Sequence, residues 1–119
     1  MSPVQRPVSG PALALDLADE MRVLREQLAS GSRTARTLVK NGPLRATLMG
    51  LAAGGALAPH SAEGPITVHV LDGLIEFEAG GRTWPLAAGS LFALDAGIEH
   101  SVRAPAGGIF LLTVAHPGA

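Results

Sequence analysis

The stretch of sequence that decides the fold runs from Gly54 to His100 and reads GGALAPHSAEGPITVHVLDG (54–73), LIEFEAGGRTWPLA (74–87) and AGSLFALDAGIEH (88–100). Pairs of residues that favour turns recur in it at intervals of eight residues: Asp72-Gly73, Gly80-Gly81, Ala88-Gly89 and Ala96-Gly97. Short strands separated by such turns at regular intervals are typical of a β-sandwich or a β-barrel. We therefore predict an all-β domain.

Side-chain alternation along a strand assigns two of the histidines to faces. In residues 66–70 the aliphatic side chains share one face, and His69 lies on the opposite, polar face. In residues 98–103 the side chain of His100 shares a face with Ile98 and Val102. We expect His100 to point into the interior of the domain and His69 to lie on the surface or at an interface.

The sequence before this stretch has a helical period. Apolar residues recur at spacings of four, four, three and four, namely Leu13, Leu17, Met21, Leu24 and Leu28. The pattern predicts an amphipathic helix within residues 13–30, after a flexible arm over residues 1–12 and before a barrel domain over residues 31–119. The apolar stripe suits a helix that packs on the surface of its own domain, and the alternative is a helix that packs across a dimer.

Two further segments give strand predictions. Asn41-Gly42 is typical of a two-residue hairpin loop of type I′, which needs positive φ at both central residues. Residues 109–114 are almost continuously apolar, which favours a strand that is buried on both faces, with a partner subunit as one cover. Because an apolar terminal strand at a sheet edge needs a cover, we predict a homodimer.

Composition excludes several classes of function. The formal net charge is −1, so the chain lacks the basic surface that nucleic acid or an anionic membrane attracts. The N-terminus has no apolar segment of the secretory kind, and no apolar run approaches the ~20 residues that span a bilayer. Cysteine is absent, which excludes disulfides and thiolate chemistry. We expect a cytoplasmic protein with no nucleic-acid or membrane partner.

The glycine and histidine spacings resemble the two motifs of the cupin family. The second motif, G-x5-P-x-G-x2-H-x3-N, matches at Gly89, Gly97 and His100, with Asp95 and Ala104 in the proline and asparagine positions. The first motif, G-x5-H-x-H-x3-E-x6-G, matches at Gly54, His60 and Gly73. The resemblance, over about residues 36–115, implies a small single-domain bacterial cupin. It implies a double-stranded β-helix, or jelly-roll barrel, of the RmlC-like type, with one N-terminal α-helix.

In metal-bearing cupins the cation is held by three histidines and a glutamate, so the resemblance also predicts where a metal ion would bind. His60 and His100 occupy two of these positions, whereas Ala62 and Ile66 occupy the other two. The resemblance implies a divalent metal (Fe, Mn, Ni or Zn) on His60 and His100 only if another residue completes the site. Glu63 is the candidate for that third ligand, with Asp95 as a further one.

Three functions follow as hypotheses. The first is a small-molecule binding protein, with two imidazoles as polar anchors in an otherwise apolar barrel pocket lined by His60, Ala62, Ile66, Phe77, Phe92 and His100. The alternative is a metal-dependent cupin enzyme of the dioxygenase or isomerase type, which uses both histidines and one non-standard ligand. A third is a sensor barrel that regulates another protein in trans. The sequence leaves open whether the protein is an enzyme.

Overall fold

A computed structural model describes residues 6–117 of the chain. In this range one α-helix precedes eight strands, and all strand pairs are antiparallel. The elements are α1 (Leu17–Leu28), β1 (Arg33–Asn41), β2 (Leu44–Leu51), β3 (Gly55–His60), β4 (Ile66–Ala79), β5 (Arg82–Ala87), β6 (Leu91–Leu94), β7 (His100–Ala104) and β8 (Gly108–Ala115). The predicted all-β jelly roll with one N-terminal helix is confirmed.

Strand β4 joins the two sheets of the jelly roll. Its first half pairs with β6 and β8, and its second half pairs with β5 and β7. The register shifts between Val70 and Asp72, where Gly73 adopts φ +74 and lies against the backbone of Gly107. The predicted turn at Asp72-Gly73 is therefore wrong. This glycine bends one continuous strand from the first sheet into the second, because a bulge and a positive φ turn a strand without ending it.

The remaining turns of the eight-residue series lie between strands as predicted. Gly80 and Gly81 connect β4 to β5, Gly89 connects β5 to β6, and Gly97 lies before β7, each with positive φ. The hairpin between β1 and β2 is also present. Its loop is Gly42-Pro43, with positive φ at Gly42 alone, so the predicted type I′ turn centred on Asn41-Gly42 is corrected by one residue. Glycine at the first central position is the pattern of a type II′ turn.

The main core fills the space between the two sheets. The predicted alternation on residues 66–70 is confirmed, since the aliphatic side chains are buried and His69 is half-buried on the other face. Ile98 departs from its prediction, because β7 begins only at His100 and the Ile98 side chain is exposed. The buried side chains of this core are Leu51, Ile66, Val68, Val70, Ile75, Phe77, Ala79, Leu86, Val102, Ala104 and Phe110.

Helix α1 covers the outer face of β1 and β2. It begins at Leu17, because the Asp16 side chain caps it by accepting a hydrogen bond from the Asp19 amide at 3.3 Å. Leu24 is fully buried against the sheet, where a Cβ on Gly50 would stand 2.9 Å from its side chain. The helix therefore packs on its own barrel, as the first of the two alternatives expects. Within the described part of the chain, no helix is long and apolar enough to cross a membrane.

Strand β8 lies inside a sheet, between β2 and β4. The outward side chains of Ile109 and Leu111 pack in the same cluster as Leu24 of α1. The expected apolar strand with two covered faces is present, but the chain's own helix supplies the outer cover that we expected from a partner subunit. Both edges of β8 are paired in this sheet, so this strand leaves no edge for a partner subunit to cover. The homodimer stays a prediction, and β8 does not support it.

The N-terminal segment is bound to β1 over part of its length. The Lys40 amide donates to the carbonyl oxygen of Val8 at 2.7 Å. Arg6 donates from Nε to Glu20 of α1 at 3.1 Å, and Arg36 of β1 donates to the same carboxylate at 2.6 Å. The flexible arm over residues 1–12 stays a prediction: Arg6, Val8 and Gly10 contact the helix and β1, and residues 1–5 lie outside the described residues.

This ion-pair cluster changes the acidity of Glu20. The hydrogen bond from Arg6 is the largest influence, and with the smaller one from Arg36 it outweighs the opposing effect of burial. Together they lower the pKa of Glu20 to about 2. The carboxylate thus stays charged in the folded protein at pH values where a solvated glutamate is already protonated.

Candidate ligand-binding site

His60 and His100 lie side by side at one end of the barrel. They end β3 and begin β7, and the register of this strand pair places their Cα atoms opposite each other after an irregularity beyond Leu57. The ring centroids are 4.3 Å apart in an edge-on arrangement. His100 is buried, as the sequence predicts, whereas His60 is exposed.

Backbone hydrogen bonds fix the chemistry of both rings. Nδ1 of His60 lies 2.9 Å from the carbonyl oxygen of Ala58, and Nδ1 of His100 lies 3.0 Å from that of Ile98. A carbonyl oxygen can only accept, so each Nδ1 must carry the proton. In the neutral ring Nε2 then bears the lone pair. The site therefore offers two adjacent nitrogen acceptors whose rings are held by the backbone.

Aromatic rings continue from His100 into the barrel. The His100 ring stacks on Phe77 with centroids 5.3 Å apart and an angle of 13° between the planes. Phe77 contacts Phe92 at 4.8 Å, and Phe92 contacts Trp84 at 4.9 Å. The structure thus brings four of the predicted site residues together. It adds Trp84, whose strand carries no position of either cupin motif.

The predicted pocket walls are mostly core residues. Ile66 and Phe77 are 3% and 1% exposed, and Ala62 and Phe92 are half-buried against the same core. Open space beside His100 instead forms a cleft of about 320 Å³, which we call the His100 cleft. His60 contacts the ring of His100 but does not itself line this cleft. It is lined by Pro59, Glu78, Ala79, Gly80, Gly81, Ile98, Glu99, His100 and Ser101.

A larger cavity of about 490 Å³ lies on the concave side of β1 and β2, and we call it the Arg45 cavity. It shares Ala62 with the predicted pocket and has no lining residue in common with the His100 cleft. Its lining consists of Thr37, Val39, Lys40, Arg45, Thr47, Ser61, Ala62, Glu63, Val114 and His116.

The carboxylates in the His100 cleft were not predicted as site residues. The alternation of residues 75–78 predicts Glu76 and Glu78 on the outer face of their strand, and Glu76 does lie there, paired with Arg103 at 2.9 Å. Glu78 and Glu99, however, border the cleft. It opens at the end of the β4–β7 pair, where Glu78 lies opposite Ser101 and Glu99 comes directly before β7. Strand alternation alone cannot reveal this, since it describes faces and not the ends of a sheet.

The donor set does not suit a divalent metal ion. The Glu63 carboxylate is 76% exposed and lies 3.6 Å from Nε2 of His116, and Asp95 is exposed. Within residues 6–117, no group of three or more histidine, aspartate or glutamate side chains is arranged to hold a metal. Mononuclear Fe, Mn, Ni and Zn centres generally take three or more protein ligands. Two imidazoles therefore leave such an ion under-coordinated.

The family follows from comparison with known proteins. The family model of the cupin domain matches residues 47–115, which are 69 of the 119 residues. The chain belongs to the cupin family. The sequence-based resemblance to an RmlC-like, single-domain cupin is thereby confirmed. The matched range includes β3 and β7, the strands that carry the two histidines. No curated protein matches the chain.

Solved structures of cupins are similar to this chain. A conserved protein of unknown function from Streptococcus pyogenes is 33% identical, with 73% of this chain and 76% of that one covered and a TM-score of 0.68. An RmlC-like cupin from Shewanella frigidimarina is 23% identical (74% and 79% covered, TM-score 0.69). Salicylate 1,2-dioxygenase from Pseudoaminobacter salicylatoxidans, with gentisate, is 21% identical at a TM-score of 0.79; 93% of this chain matches 35% of the enzyme.

Proposed function

We propose that this cupin is a small-molecule binding protein whose ligand occupies the His100 cleft, donates a hydrogen bond to Nε2 of His100 and extends to Nε2 of the adjacent His60. The observation that carries the proposal is the pair of Nδ1–carbonyl hydrogen bonds, at 2.9 and 3.0 Å. Because Nδ1 carries the proton in each neutral ring, Nε2 of each ring is a hydrogen-bond acceptor, and the two rings are in contact. Rings held by backbone groups lose little freedom when a ligand binds, which favours affinity.

The charges of the His100 cleft select the class of ligand. Glu78, Glu99 and Ser101 line it, and the lining residues that the structure describes include no lysine or arginine. A carboxylate ligand would meet two like charges there, whereas an amine meets two opposite charges and a nitrogen acceptor. The proposed ligand is therefore a small amine or another donor-rich molecule, and the apolar contact comes from Pro59 and Ile98.

The metal-dependent enzyme is the second candidate, because His60 and His100 occupy two metal-ligand positions of the cupin motifs. Salicylate 1,2-dioxygenase has the same fold over 93% of this chain, but at 21% identity this likeness concerns the fold alone. The donor set argues against transfer of its chemistry, since His60 and His100 lack a third ligand among the described residues.

A titration of the ¹⁵N-labelled chain with benzylamine tests the proposal. We expect chemical-shift changes at the backbone amides of Gly80, Glu99 and His100, and weaker or absent changes with benzoate. His60→Ala should weaken benzylamine binding by about threefold to tenfold, because one hydrogen bond to an acceptor is lost. His100→Phe, which keeps a ring on Phe77 but lacks Nε2, should weaken binding to a similar degree.

His69→Ala is the matched control, because His69 lies on the other face of β4 and outside the cleft. It should leave the benzylamine Kd unchanged. Equal Kd values for wild type, His60→Ala and His100→Phe would refute the proposal, as would shift changes confined to residues elsewhere on the barrel.

A further inference from the structure

We propose that the Arg45 cavity is a second, separate binding site, which takes a small organic carboxylate. The cavity holds about 490 Å³, within the range of small-molecule sites, and none of its lining residues belongs to the His100 cleft. Its occupant differs in charge from the ligand proposed for the histidines. The two sites would thus make the barrel a receptor for two kinds of molecule.

The register of β2 locates Arg45 in the lining of this cavity. Arg45 pairs with Val114 of β8, and Thr47 pairs with Thr37 of β1 on its other side. Alternation along β2 puts Arg45 and Thr47 on the same face as Met49 and Leu51, which belong to the main core or pack against it. The cavity therefore borders the packed core through Ala62 and Val114 and opens outward from it.

Arg45 and Lys40 of the cavity have no carboxylate partner in the described part of the chain. Ion pairs between arginine and carboxylate there involve other arginines, and neither Arg45 nor Lys40 takes part in one. Arg45 instead donates from Nε to the carbonyl oxygen of Gly42 at 3.3 Å, which orients its guanidinium group at the hairpin. No other residue within 6–117 accepts from its guanidinium, whose remaining donors suit the two-pronged contact that arginine makes with a carboxylate.

The other lining residues indicate the chemistry of the part of the ligand that lies beyond its carboxylate. Apolar side chains come from Val39, Ala62 and Val114, and hydroxyl groups come from threonines of β1 and β2 and from Ser61. Among the lining residues that the structure describes, Glu63 is the single carboxylate, and it lies at the exposed rim near His116. An anion with a small apolar body matches this distribution, with its carboxylate at Arg45 and its apolar part against Ala62 and Val114.

The test uses the full ¹⁵N-labelled chain with benzoate and its neutral analogue benzamide. We expect benzoate to shift the amides of Thr47, Ala62 and Val114, with a Kd about tenfold lower than that of benzamide. Arg45→Gln should weaken benzoate binding about tenfold and leave benzamide binding unchanged. Arg33→Gln, at an exposed arginine near the start of the same β1–β2 pair, is the matched control and should leave both Kd values unchanged.

Three outcomes would overturn this second site: no shift at the cavity amides, equal affinity for benzoate and benzamide, or no effect of Arg45→Gln beyond that of Arg33→Gln. The result is separable from the function proposed for the histidines. Loss of benzoate binding with benzylamine binding intact would refute the Arg45 site alone, and the reverse result would refute the histidine site alone.

Discussion

Replacing Gly64 with alanine is expected to destabilise the protein by roughly 3 kcal/mol or more, at the upper end of the cost of overpacking. Gly64 is buried in the loop that leads into β4. A Cβ there would overlap the carbonyl oxygen of Ala115 and stand 2.8 Å from its carbonyl carbon. The obstacle is backbone, so a rotamer change cannot relieve it. Urea unfolding monitored by the fluorescence of Trp84 measures the loss.

Gly31→Ala is the control for this prediction. A Cβ on Gly31 would have its nearest neighbour, the carbonyl oxygen of Arg33, at 3.8 Å, which is an ordinary contact. The control should remain within about 1 kcal/mol of the wild type. If Gly64→Ala unfolded at the same urea concentration as Gly31→Ala, the close approach of residues 64 and 115 would be wrong. The packing of the C-terminal strand beside this loop would then need revision.

Replacing Glu20 with glutamine is expected to cost about 2 kcal/mol at neutral pH, because Arg6 and Arg36 would keep their charges without a counterion. The side chains of these arginines are 23% and 18% exposed, so solvent moderates the cost. Glu26→Gln on the same helix is the control. Its partner is Arg22 at 3.0 Å, both side chains are more than half exposed, and the loss should stay below about 0.5 kcal/mol.

The cost of Glu20→Gln should depend on pH in a defined direction. The pKa of Glu20 is about 2 in the folded protein and 4.5 for a glutamate in the unfolded chain, so the charged group stabilises the fold above about pH 4.5. This contribution is lost as the pH falls toward 2, where Glu20 binds a proton in both states. The difference in unfolding free energy between wild type and Glu20→Gln should therefore shrink over this interval. A difference that stays constant with pH would contradict the ion-pair cluster.

The fold could be predicted from local chemistry because glycine positions and strand alternation both depend on near neighbours in the chain. Gly80, Gly89 and Gly97 occupy the turns that the eight-residue spacing predicts. Gly73 fits the same spacing, yet it bends a continuous strand, and the cause is distant. It lies against Gly107, and its strand changes partners there. A sequence pattern cannot distinguish a strand that ends from one that changes sheets.

The candidate site was predicted only in part, for a similar reason. The positions of His60 and His100 follow from motif spacing, and the structure places their rings in contact. The protonated nitrogen of each ring depends on carbonyl groups two residues earlier, whose direction comes from the local backbone. Glu99 and Arg45 were missed because each borders a cavity formed by strands far apart in sequence.

The most direct test of the central claim, that His60 and His100 form a binding centre without a resident metal, is metal retention. The full chain would be dialysed against Fe²⁺, Mn²⁺, Ni²⁺ or Zn²⁺, then against buffer, and analysed for metal content. With two imidazole ligands we expect less than about 0.1 equivalent to remain, and the same amount in His60→Ala. About one equivalent bound to wild type and lost from His60→Ala would contradict the account.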